Sequence, residues 1–137
     1  YLAAISGNGL YVGTSGIFSK LDPETLEPKW SLTSYFQPRA ALTDGKGSVY
    51  FTGFFIQPSY FGKTTLNTSG QNDCFIAKLN DGTGEEIWAK KAGTTSSDFF
   101  NDLAVDKSGN PYVAGLFALS GTLGTNAVNF GAVVAKY

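Results

Sequence analysis

Short apolar runs alternate along this chain with turns rich in Gly, Asp and Asn. Ala41-Leu42-Thr43 is followed by Asp44-Gly45-Lys46-Gly47 and then by Val49-Tyr50-Phe51-Thr52-Gly53-Phe54-Phe55. Leu103-Ala104-Val105, Lys107-Ser108-Gly109-Asn110 and Tyr112-Val113-Ala114-Gly115 repeat that order, and Ala4-Ile5, Gly7-Asn8-Gly9 and Leu10-Tyr11-Val12-Gly13 give a shorter version of it. Runs of this length bounded by such turns predict β-strands joined as hairpins. The run from Val49 to Phe55 is apolar on both faces, which predicts a strand covered on both sides. No stretch of useful length follows the helical period.

The runs recur. Lys20, Lys78 and Lys136 stand 58 residues apart, and so do Trp30 and Trp88. Ile17-Phe18-Ser19-Lys20-Leu21-Asp22 matches Phe75-Ile76-Ala77-Lys78-Leu79-Asn80, and Val133-Val134-Ala135-Lys136-Tyr137 opens a third copy. Each unit reads as four short strands, a to d. A tight Gly turn joins a to b, a longer loop leads to c with its Lys, and a turn such as 22–25 or 80–84 leads to d with its Trp. A two-sheet sandwich would account for strands and turns but not for the period. The period predicts an all-β fold of β-propeller blades, four-stranded antiparallel sheets packed face to face. The blades span about 2–34 and about 40–92, with a partial third over about 102–137. That is an incomplete ring of about two and a half blades, since a ring takes about four to eight.

Composition narrows the function. Charged residues are 15%, the net charge is -1 and the pI about 5.2, so no basic surplus exists to neutralise phosphates and nucleic acid is not an expected partner. No apolar run approaches the ~20 residues of a membrane helix. With no Met, residue 1 is not a translation start, so the chain is expected to be processed or part of something longer. One Cys permits no internal disulfide, and the lack of His removes the commonest general base and metal ligand.

The sequence from Phe75 through Ile87-Trp88-Ala89-Lys90 to Leu103-Ala104-Val105-Asp106-Lys107-Ser108-Gly109-Asn110-Pro111-Tyr112-Val113-Ala114-Gly115 resembles the SBBP β-propeller repeat. Phe61-Gly62, Leu66, Gly70 and Asp73 fit it too. The first unit, with Leu10-Tyr11-Val12-Gly13, Leu21-Asp22-Pro23-Glu24-Thr25 and Trp30, is also similar to the PQQ-like propeller repeat. The SBBP resemblance implies a secreted or surface protein of a microbe. It implies no particular activity, because propellers host many.

Several residues invite a functional reading. Trp30 and Trp88 are placed by the period itself, so they are expected to pack between blades rather than to stack on a ligand. Lys20, Lys78 and Lys136 are repeat positions in the same sense. Tyr35-Phe36 and Phe99-Phe100 are expected between strand d and the next strand a, and Phe54-Phe55 and Tyr60-Phe61 beside the b–c loop. They offer either an aromatic surface for sugar or a partner protein, or plugs between blades, and plugging is the preferred reading. Cys74 has Gly16 and Ala132 as its counterparts, so it reads as a small buried residue and not a nucleophile. The turns 81–85 and 106–110 carry oxygen ligands but lack a dense calcium-loop pattern, and read as hairpin turns. Glu85 and Glu86 point to opposite faces of a strand and, with Asp102 and Asp106, read as solvated charges. Asn67-Thr68-Ser69 is a glycosylation sequon in a loop.

These readings lead to a non-catalytic scaffold or binding module, extracellular or at the cell surface, with no catalytic, cofactor or metal residues. Its expected partners are other propeller blades, in the same chain or in other copies, and carbohydrate. A structural subunit of a filament is one form it takes. The alternatives are a fragment of a larger quinoprotein-like enzyme and an intracellular protein-interaction propeller.

Overall fold

The computed structural model describes residues 1–123, 126–128 and 131–137. All regular structure among them is β, and no helix occurs. The first sheet is a plain meander of β1 (Leu2–Ser6), β2 (Gly9–Thr14), β3 (Ile17–Leu21) and β4 (Pro28–Thr33), each strand antiparallel to the last. The second runs β5 (Phe36–Thr43), β6 (Ser48–Phe55), β9 (Asp73–Asn80) and β10 (Glu86–Ala92). A small hairpin, β7 (Ser59–Tyr60) with β8 (Thr65–Leu66), interrupts it between β6 and β9. The third sheet has three strands, β11 (Phe99–Val105), β12 (Pro111–Phe117) and β15 (Gly131–Lys136). Between its second and third strands lies another hairpin, β13 (Gly121–Leu123) with β14 (Asn126–Val128). The sheets stack in chain order and close no ring among the described residues. Their first strands form the contact line, with β5 packed against β1 on one side and β11 on the other.

Two apolar clusters fill the stack. Tyr11 and Phe18 of sheet 1 meet Phe51, Phe36 and Phe75 of sheet 2, with Phe61 from the inserted hairpin. Phe18 and Phe51 are stacked at a centroid distance of 4.2 Å. Cys74 and Ile76 on the far face of sheet 2 meet Phe100, Val113, Phe117 and Val133 of sheet 3. Sheet 2 is thus covered on both faces, which is why β6 and β9 read as unbroken apolar runs rather than as alternating ones.

The structure corrects two expectations about the strand starts. Phe36 belongs to β5, and Phe99 and Phe100 belong to β11, so these residues are not in connections; of the two pairs only Tyr35 is. The second and third sheets therefore begin at Phe36 and Phe99 rather than near residues 40 and 102. A β-bulge hides this in the sequence. The register slips between Pro38 and Ala40 and again between Phe100 and Asp102, so one extra residue breaks the two-residue alternation while pairing continues to Phe55 and Leu116. Opposite each bulge stands a glycine. A Cβ on Gly53 would run into the carbonyl oxygen of Gln37, and one on Gly115 into that of Phe99. In sheet 1, where β1 pairs with β2 without a slip, the counterpart is Thr14.

Candidate functional site

A polar cluster lies on the seam between sheets 1 and 2. Tyr11 and Lys20 are directly opposed on β2 and β3, so both side chains leave the same face and meet the turn 80–84 of sheet 2. Asp81 in that turn takes three residues of sheet 1. Its carboxylate accepts from the Tyr11 hydroxyl and, at 2.7 Å, from the Lys20 ammonium. Its carbonyl accepts from Lys20 at 3.2 Å and from the Trp30 indole N–H at 3.0 Å. Burial, with the adjoining Asp81 carboxylate, drives the Tyr11 hydroxyl far above its ordinary range, so it stays a donor.

The same cross-strand pair recurs at the other repeat positions. Tyr50 opposes Lys78, whose ammonium lies 5.0 Å from the ring centroid, and Tyr112 opposes Lys136 at 5.4 Å. Between sheets 2 and 3 the reach differs. The Tyr50 hydroxyl donates to the Gly109 carbonyl at 2.8 Å, and Lys78 turns back to Asp44 of its own sheet at 3.8 Å. Trp88 packs on the second cluster and meets Tyr50 edge-on at 6.1 Å. Both tryptophans therefore pack in the seams, whereas of the repeated lysines Lys20 alone bonds across one, Lys78 and Lys136 lying against residues of their own sheets.

The aromatic pairs divide in the same pattern. Phe36, Phe61 and Phe100 are fully buried, whereas Tyr35 and Tyr60 face solvent. Phe99 is half-buried against Phe54. Tyr35 borders a groove of about 350 Å³ between the ends of sheets 1 and 2, where Ile17 and Ile56 form apolar walls and Ser15, Thr33 and Gln37 a polar rim. Its lining carries no charged side chain.

Carboxylates expected in solvent are partly structural. Glu85 is exposed, but Glu86 is only 3% exposed and corrects the expectation for that pair. Its two oxygens accept from the Lys63 and Thr64 backbone N–H groups and from the Thr64 hydroxyl, which closes the loop after β7 onto β10. Burial raises its pKa, but the Thr64 hydroxyl and the two N–H donors outweigh that and hold it below the ordinary value. This clamp ties the inserted hairpin to β10, and nothing in the spacing of Glu86 announces it. Asp73 and Asp98 are fully buried near each other. Asp98 accepts from Thr94 and Ala118, while Asp73 accepts from Ser69 and lies 3.6 Å from the Lys91 ammonium. Burial raises the Asp73 pKa, and the charge of Asp98 adds to that against the pull of Ser69 and Lys91.

Asp106 and Asp22 cap their own turns, accepting from backbone N–H groups two to four residues on, and both are held down to about 2. Asp106 owes this first to the Asn110 side chain, and Asp22 to the Glu24 N–H. Cys74 is buried and its thiol is pushed well up by that burial. Among the described residues, no group of three or more Cys, Asp or Glu side chains is placed to hold a metal. No helix long and apolar enough to cross a membrane occurs among them. Asn67 is exposed, beside the β8 hairpin, and its carbonyl accepts from Lys91.

No protein-family model matches this sequence, and neither does any curated protein.

Proposed function

We propose that the three sheets are consecutive β-propeller blades of a non-catalytic scaffold and binding module that works outside the cell or at its surface. One observation carries the reading. Tyr11, Lys20 and Trp30 bond from sheet 1 to the Asp81 turn of sheet 2, and Tyr50 bonds from sheet 2 to Gly109 of sheet 3, so four of the residues that the period singles out join consecutive sheets. The acidic groups support it. Asp81, Glu86, Asp98, Asp22 and Asp106 are each occupied by donors of the chain itself. The family resemblance in the 75–115 region agrees with blades and with a secreted protein.

The binding face of this module is the groove beside Tyr35. An exposed aromatic ring, aliphatic walls and an uncharged hydroxyl and amide rim fit the apolar face and hydroxyl groups of a neutral saccharide. Electron microscopy of the intact protein that carries this chain tests the architecture. A ring or arc of radially arranged four-stranded blades is expected, and a two-sheet sandwich overturns it. An absorbance spectrum of the same sample separates the quinoprotein alternative, because a bound quinone would reassign the module to an enzyme. Secretion from eukaryotic cells with a glycan on Asn67, removed by Asn67→Gln, is the expected mark of the extracellular route.

A further inference from the structure

Sheet 2 sets a lysine amine against a carboxyl group that is packed away from water. β9 and β10 pair with Phe75 opposite Lys91 and Cys74 opposite Ala92, so Asp73 and Lys91 are diagonal neighbours on one face. The Lys91 ammonium lies 3.6 Å from Asp73 Oδ2. The Asn67 carbonyl at 2.7 Å and the Ser69 hydroxyl at 2.6 Å hold it there. The Asp73 side chain is fully buried, while that of Lys91 is partly exposed. A Cβ on Gly93 would run into Oδ1 and Cγ of Asp73, so the backbone of the neighbouring chain closes over the carboxyl. Oδ2 accepts from the Ser69 N–H, but Oδ1 is buried and meets no donor among the described residues. Burial therefore favours the neutral acid, and the charge of the fully buried Asp98 adds to that. The other three lysine–aspartate pairs among the described residues differ. Both carboxylate oxygens of Asp22, Asp44 and Asp81 are taken by a donor or an ammonium.

We propose that Lys91 and Asp73 are a modification site, at which the two side chains join through an amide between Nζ and Cγ. The step balances within the pair. The ammonium passes one proton to the carboxylate, which leaves a neutral amine facing a neutral acid. The amine lone pair forms the Nζ–Cγ bond and one Cγ–O bond breaks. The departing oxygen leaves as water, with two hydrogens that began on the ammonium. No oxidant, reductant or second substrate enters. Holding both ends in contact replaces a bimolecular encounter by an internal one. The product also settles the polar groups. The remaining oxygen, now an amide carbonyl, keeps the Ser69 N–H, and the remaining Nζ–H keeps an acceptor in Asn67 or Ser69. The orphaned oxygen is gone. The bond closes the β9–β10 hairpin covalently and so restricts the unfolded chain as a disulfide would, in a chain whose single Cys allows no internal disulfide. Once joined, Asp73 no longer titrates, so the loss of stability with rising pH that its burial sets up belongs to the unjoined chain.

Tryptic digestion of the intact, deglycosylated protein that carries this chain, read by mass spectrometry, tests the cross-link. Cleavage after Lys63, Lys78, Lys90 and Lys107 releases peptides 64–78 and 91–107, because an acylated Lys91 is not cut. The two are expected to appear as one linked species, lighter than their sum by one water, about 18 Da. Free peptide 64–78 together with 92–107, from cleavage after an unmodified Lys91, overturns the proposal and leaves the scaffold reading standing. A loss of one water without linked peptides overturns it too, since a succinimide at Asp44 or Asp81, each followed by Gly, loses the same mass. Lys91→Arg keeps the charge but offers no amine. It is expected to abolish the linked species and to lower the urea midpoint of unfolding. A linked species that survives this substitution overturns the assignment to Lys91. Should the variant fail to fold, the wild-type digest decides by itself.

Discussion

The ammonium of Lys20 lies 2.7 Å from the carboxylate of Asp81, although 61 residues separate them in the chain. Lys20 belongs to the first sheet and Asp81 to a turn of the second, so this pair and its neighbours decide how the two sheets are seated. Neither side chain is more than about a quarter exposed, at 13% and 26%, which spares the pair much of the screening that weakens surface ion pairs.

Asp81→Ala is expected to cost about 1–3 kcal/mol, because the fully buried Tyr11 hydroxyl loses its acceptor. Adding Tyr11→Phe should recover part of the loss, since the orphaned donor goes with it. Urea denaturation of the two variants checks the order. Faster hydrogen exchange in β1–β4 than in β9 would place the damage on the seam.

Phe51→Ala is expected to cost about 3–5 kcal/mol, as large-to-small changes of a fully buried ring do. A double-mutant cycle with Phe18→Ala should return about 0.5–1.5 kcal/mol of coupling for the stacked pair. Additive losses would show that the two sheets do not share this contact.

Gly53→Ala is expected to destabilise by about 1–3 kcal/mol or more, because its methyl would occupy the space of the Gln37 carbonyl. Gly115→Ala should behave alike and Thr14→Ala should not, since only the first two face a bulge. Thermal melts of the three variants separate the outcomes.

Acid should loosen the inserted hairpin of sheet 2. Glu86 is held below its ordinary value of 4.5, so its contribution is complete above that pH and is lost as pH falls through its folded value. Asp73, whose pKa is raised, works with the opposite sign and loses its contribution as pH rises. Glu86→Gln is expected to cost about 1.5–3 kcal/mol near neutral pH and to flatten the acid limb of a stability–pH curve. An unchanged curve would show that the carboxylate does not hold the loop.

Fold class was readable because strand formation depends on local pattern. The turns 22–27 and 80–85 share one hydrogen-bond scheme, and an Asx residue, a Thr and a following Glu write it directly into the sequence. Lys20 and Lys78 mark the faces by which sheets 1 and 2 meet the sheet that follows, because equivalent slots between sheets ask for equivalent side chains. The bulges in β5 and β11 were not readable, since one inserted residue shifts the alternation by a step and makes strand resemble loop.

The amino-acid sequence alone therefore determined an all-β chain, its repeat and the residue types that face inward, all of which follow from short-range pattern. Tertiary structure alone decided which partners those residues take. Asp81 became the acceptor for Tyr11, Lys20 and Trp30, although the repeat puts Pro23 in its place one unit earlier. Glu86, a charge that adjacency suggested was solvated, became a buried clamp. The physical reason is the same in both cases. A hydrogen bond across a seam depends on where two separate sheets stop against each other, and that distance is set by the rings packed between them.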